Sequence, residues 1–136
     1  LAAVARAALL LYIRESRYSS EPAGKRDHIV VAMAQAIIRR RATERFTVKE
    51  LAVEVGVSPE HLVRLFREHQ GTTPGAVLRK ERLARALQLL TRTGLSITEV
   101  AHVTGYASSQ HFARSLRQAT GRSATELRRG SWSGAD

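Results

Sequence analysis

Two stretches of this chain repeat one another at an offset of 49 residues, and that repeat limits the fold more than any other feature. Thr47-Val48-Lys49-Glu50 and Ser96-Ile97-Thr98-Glu99 each set a hydroxyl three residues before a carboxylate, the capping box that opens a helix. The same offset relates Ala52 to Ala101, Val55 to Thr104 and Gly56 to Gly105. After one inserted residue, Leu62 pairs with Phe112, Arg64 with Arg114 and Gly71 with Gly121. Each copy therefore runs short helix, glycine-containing turn, second helix, closing glycine, which is the layout of a helix-turn-helix. The alanines fall where two helices approach closely, and Gly56 and Gly105 fall where the turn needs a positive φ. A tight helical hairpin of any function would ask for the same residues.

Residues 73–93 join the copies. Thr73 suits the cap and Pro74 the first turn, where a missing N–H costs nothing. Leu83, Ala86, Leu87 and Leu90 recur at i, i+3, i+4 and i+7, and Gly94 supplies the stop. A helix of roughly 18 to 20 residues spans about 27 to 30 Å, close to one turn of B-DNA, about 34 Å. A spacer of that length would hold two reading elements in successive major grooves on one face of a duplex.

The flanks are less defined. Residues 1–18 place Leu1, Val4, Ala8 and Leu11 on one face of an expected helix. That face either packs on the rest of the chain or serves as a dimerisation or connecting helix from an upstream domain. The chain begins at Leu1, and the expectation is a piece of a longer protein. Residues 19–27 collect Ser, Pro, Gly and charges and read as a linker. From His28 the pattern Ile29, Met33, Ala36, Ile37 restores a helical stripe that ends in Arg39, Arg40 and Arg41, a run suited to a helix C-terminus or to phosphate. A third capping box, Ser123 to Glu126, opens a closing helix to Arg129, and residues 130–136 read as a flexible tail. The fold expected is all-α: two helix-turn-helix units (28–72 and 94–129) joined by a long central helix (73–93), with an extra N-terminal helix.

Composition narrows the function. Hydrophobic residues make up 43% and aromatics 5%, which suits small helical cores built from Leu, Ala and Val. A formal net charge of +10 points to polyanionic partners. The absence of cysteine excludes disulfides, thiol catalysis and Cys-ligated zinc. The five histidines lack the spacing of a helical metal site, and no Ser, His and carboxylate cluster assembles, so neither catalysis nor a metal or cofactor is expected. The N-terminal apolar run, broken by Arg6 and Arg14, is too short to span a bilayer and lacks the features of a signal peptide. The arginines are spread over several helices rather than along one amphipathic face, which argues against membrane binding. A cytoplasmic location is expected.

The second helix of each copy sharpens the case. In the first, Ser58 caps, Pro59 begins, Leu62, Leu65 and Phe66 form the inner face, and Glu60, Val63, Arg64 and Arg67 line the outer one. In the second, Ser108 caps, Phe112 and Leu116 go inward, and Gln110, Ala113, Arg114 and Arg117 line the outside. Both outer stripes carry an arginine at the same place and mix long donors with small or apolar side chains, as base reading requires. Arginine pairs with guanine, glutamine with adenine, a carboxylate with the cytosine amino group, and Val or Ala with a thymine methyl. On this reading Arg64 and Arg114 contact bases, while Arg67, Arg117 and the helix N-termini at Ser58 and Ser108 contact phosphates. The alternative is a helical interaction module that docks on RNA polymerase or another protein.

These residues resemble the AraC family of bacterial transcription regulators. The likeness rests on Arg82-Leu83 with Ala86 and Leu89-Leu90, Ser96-Ile97 with Glu99-Val100-Ala101, Gly105-Tyr106, His111-Phe112 with Arg114, and Gly121. It covers roughly residues 29–129. The resemblance implies two helix-turn-helix units bridged by a long helix on one face of double-stranded DNA, with base contacts at Glu60, Val63, Arg64, Ser109, Gln110, Ala113 and Arg114. Only Ser109 is added to the stripes already drawn. It also implies a separate sensing or dimerising domain, and so leaves open a homodimer formed through that domain. Leu116, Ala124, Val77 and Leu127 depart from the family's usual Phe, Pro and aromatic residues, at positions of packing rather than of DNA contact.

Overall fold

The computed structural model describes residues 23–132, and every regular element among them is a helix. They are α1 (Ala23–Arg41), α2 (Val48–Val55), α3 (Pro59–Gln70), α4 (Pro74–Arg92), α5 (Ile97–Val103), α6 (Ser109–Thr120) and α7 (Ala124–Trp132). The chain divides into two compact units. Among the described residues, 23–40 and 46–77 form the first, and 41–45 with 78–132 form the second.

The repeat appears as two helix pairs with matching starts. At α2 the Thr47 hydroxyl accepts from Glu50 N at 3.2 Å, and the Glu50 carboxylate accepts from Thr47 N at 2.7 Å. Ser96 and Glu99 make the same pair of bonds at α5, at 3.1 and 2.7 Å. Each box satisfies two backbone donors that a helix start leaves unpaired. The alanines are buried to make room for the partner helix: Ala52 is 0% and Ala101 2% exposed. Gly56 (φ 77°) and Gly105 (φ 84°) make the turns in the left-handed region.

In the first unit the buried residues of α1 are Val30, Val31, Met33, Ala34, Ile37 and Ile38, with Phe46, Leu51, Val55, Leu62, Leu65 and Phe66 from the segments that follow. The inward face of α1 is turned from the expected stripe: Ala36 is exposed and Ile29 only half-buried. This helix carries apolar residues at more positions than one face holds, so periodicity alone does not fix which are covered. In the second unit Ala86, Leu90, Val100, Ala101, Tyr106, Phe112, Leu116 and Ala124 form one core, against which Leu83, Leu87, Leu89, Leu95, Ile97 and Leu127 pack. The departures at Leu116, Ala124 and Leu127 are thus absorbed as ordinary core residues, and Val77 is half-buried. Thr104, standing where the first copy has Val55, is fully buried, and its hydroxyl donates to Val100 O at 2.6 Å.

Two helices run further than the sequence predicts. The segment expected to be a linker up to residue 27 is helical from Ala23, past Pro22, and Gly24 inside the helix costs only about 1 kcal/mol. The expected tail is helical as far as Trp132. The expected helix over residues 1–18 lies outside the described residues.

Three arginines fasten the second unit through backbone carbonyls. Arg82 donates from Nε to Ala42 O at 2.9 Å and from Nη2 to Glu44 O at 3.0 Å. Arg128 reaches Leu90 O at 3.1 Å and also Leu95 O. Arg45 donates to Tyr106 O at 3.4 Å. Burial pulls the Arg82 pKa below its ordinary value, an effect that Tyr106 opposes.

Candidate nucleic-acid interface

Each candidate stripe sits on a helix whose ends are fixed and whose opposite face is buried. The Ser58 hydroxyl accepts from His61 N at 3.1 Å and Pro59 occupies the first turn of α3; the chain leaves the helix through Gly71 at φ 68°. The Ser108 hydroxyl accepts from His111 N at 3.0 Å, and α6 ends at Gly121 with φ 72°. Leu62, Leu65 and Phe66 anchor α3, and Phe112 and Leu116 anchor α6, all essentially without exposure.

The remaining faces are open. On α3, Glu60, Arg64 and Arg67 are exposed and Val63 is half-buried. On α6, Gln110, Ala113, Arg114 and Arg117 are exposed and Ser109 is half-buried. Each band therefore sets donors beside one apolar group, Val63 on α3 and Ala113 on α6, and the band on α3 adds the Glu60 carboxylate. Neither Arg64 nor Arg114 is drawn into a core. Ser58 and Ser108 are exposed with their oxygens already accepting cap bonds, which leaves each hydroxyl proton to donate. The first turn of α6 contains no acidic residue, whereas that of α3 contains Glu60, so the partial positive charge of the α6 N-terminus is the less neutralised.

The two arginines differ in their surroundings. Arg64 Nη2 lies 2.6 Å from His61 Nδ1, and its Nε lies 4.0 Å from Glu68. In the second unit His111 sets its ring edge-on against Tyr106, with centroids 5.5 Å apart at 75°. Arg41, from the arginine run at the end of α1, pairs with Glu44 at 2.7 Å. No group of three His, Asp or Glu that could hold a metal ion occurs among the described residues, and none of their helices is long and apolar enough to cross a membrane.

A family model described as a helix-turn-helix domain matches residues 51–130. The structure of an AraC-type DNA-binding domain protein from Chromobacterium violaceum is 30% identical; the match covers 81% of this chain and 96% of that one, with a TM-score of 0.70. The chain belongs to the AraC family. Its AraC-type domain is 42% identical over 93 residues to the transcriptional regulator GlxA of Rhizobium meliloti, a match that covers 68% of this chain and 28% of the relative. It thus spans little more than a quarter of that regulator's length. The DNA-binding domain of AdpA, solved in complex with a target DNA, has a TM-score of 0.73 at 27% identity, over 77% of this chain and 95% of that one. As an AraC-type domain the chain is a DNA-binding module of transcription regulation and not an enzyme.

The sequence identified the stripes on α3 and α6 and both caps. It did not identify the three arginine-to-carbonyl fastenings, since a carbonyl acceptor leaves no mark in the side-chain pattern. The contact between His61 and Arg64 did leave one, an i, i+3 spacing on a helix whose other face is apolar.

Proposed function

We propose that the chain binds double-stranded DNA sequence-specifically, with α3 and α6 as recognition helices in successive major grooves, and so directs a larger regulator to its site. The duplicated exposed stripe, with an arginine at the same position of each copy, is the observation that carries this reading. The net charge of +10 and the likeness to a domain solved on its target DNA support it. Arg64 and Arg114 are the base readers, with Glu60, Val63, Ser109, Gln110 and Ala113 adding selectivity, and Arg67, Arg117, Ser58 and Ser108 setting register on phosphates.

The test starts from sequences selected by the chain out of random duplex DNA. Arg64→Ala and Arg114→Ala should each cost about 1 to 3 kcal/mol and relax the preference at one base pair. Equal loss on every sequence would reassign that arginine to the backbone. Arg67→Ala or Arg117→Ala should weaken all sequences alike and lower the salt dependence by about one unit of log–log slope. A flat salt response in the unaltered chain would instead favour the rival role, docking on RNA polymerase.

A further inference from the structure

The two base-reading arginines occupy equivalent places in the repeat, and each has a histidine three residues before it, His61 before Arg64 and His111 before Arg114. The histidines are used differently. His61 Nδ1 lies 2.6 Å from Arg64 Nη2. A guanidinium has only donors, so the contact is a hydrogen bond in the tautomer that keeps the lone pair on Nδ1. His111 instead packs edge-on against the buried Tyr106, and Arg114 has no side-chain partner among the described residues.

We infer that His61 is a positioning residue for sequence reading: it presets Arg64, so that the first unit discriminates at its base pair more stringently than the second does through Arg114. The inference rests on the base-reading role proposed for Arg64. An unrestrained arginine must freeze several rotors to meet a base edge, and it can swing to a phosphate when the base is wrong. Holding the guanidinium beforehand removes part of that ordering cost and closes the escape route. His61 takes one of five donors, which leaves enough for a bidentate contact with guanine. Glu68 adds little, because at 4.0 Å and with both side chains more than half exposed the pair is screened by water. The His61 backbone N–H already closes the α3 cap on Ser58, so the residue's main chain is fixed and its ring has a short arc to search.

The experiment measures affinities of the full chain for its selected duplex and for every single-base-pair change in it. The variants are Arg64→Ala, His61→Phe, His61→Gln and His111→Phe, with thermal unfolding of each as a control for folding. His61→Phe keeps a ring but loses the acceptor, and His61→Gln restores an oxygen acceptor. His61→Phe should reduce discrimination about three- to tenfold, only at the base pair that Arg64→Ala relaxes. His61→Gln should return it to within about twofold, and His111→Phe should leave the Arg114 base pair as it was. Four outcomes would overturn the assignment: unchanged discrimination in His61→Phe, loss spread evenly over all positions, no recovery in His61→Gln, or equal relaxation by His111→Phe at its own position. If Arg64→Ala itself relaxes no base pair, the reading of Arg64 fails first and the assignment falls with it. A selective Arg64→Ala beside a neutral His61→Phe overturns the positioning role alone.

Discussion

Gly105 shows how much a single position can carry. Its φ is 84°, and a Cβ added there would lie 2.6 Å from the Thr43 carbonyl oxygen, a backbone atom that shifts only at a cost. Gly71 and Gly121 share the left-handed conformation, but a Cβ at either meets nothing within 4 Å. Gly105→Ala should therefore cost more than backbone strain alone, which is about 1 to 3 kcal/mol, while Gly121→Ala should stay at the lower end of that range. Urea unfolding of the two variants side by side checks the order, and equal losses would mean that the turn relaxes away from Thr43. The repeat predicted a positive φ at Gly105; the close approach of residues 41–45 had no signal in the local sequence. Next to it, burial pushes the Tyr106 phenol above its ordinary pKa, with Arg82 pulling the other way. The unfolded chain then loses that proton first as pH rises, so stability is held below the ordinary tyrosine range and declines above it. Tyr106→Phe should flatten the alkaline limb of a stability profile, and an unchanged limb would assign the decline to other groups.

At the scale of elements, the helix starts were the most legible part of the chain, because a cap is a local bargain between a few neighbouring residues. All three capping boxes read from the sequence are formed, at Thr47, Ser96 and Ser123. Boundaries without such a box were less legible: α1 begins earlier and α7 ends later than expected, since propensity gives gradual gains and no boundary. The helix α5, only seven residues long, has little of its own to hold it, so its box should matter. Ser96→Ala should lower the unfolding free energy by about 1 kcal/mol, seen as a lower urea midpoint with an unchanged slope. The Ser96 backbone N–H, and then its hydroxyl, hold the Glu99 carboxyl below its ordinary pKa. The sign follows: the box is intact above the ordinary carboxylate range and is lost as pH falls through the lowered value, so Ser96→Ala should cost least in acid.

For the whole molecule, the candidate stripes were legible because exposure on α3 and α6 follows from period and cap alone, whereas the spacing at which a duplex would have to meet them does not. The spacer helix α4 runs from Pro74 to Arg92 without interruption, beginning in the first unit and continuing through the second. If it acts as a ruler, the DNA must present its two contacted segments at one fixed separation. Inserting about five base pairs between them turns the second segment to the opposite side of the duplex, and about ten base pairs restores the side but adds a full turn of about 34 Å. A rigid spacer should lose the second unit's contribution in both cases, so that affinity drops to that of one segment alone. Flexibly tethered units would lose with five and recover with ten, because a tether tolerates distance better than it tolerates facing the wrong way. A duplex indifferent to both insertions would show that a single unit does the reading. Binding isotherms on three duplexes, at one salt concentration, separate the three cases, because each predicts a different pattern of two losses, one loss or none.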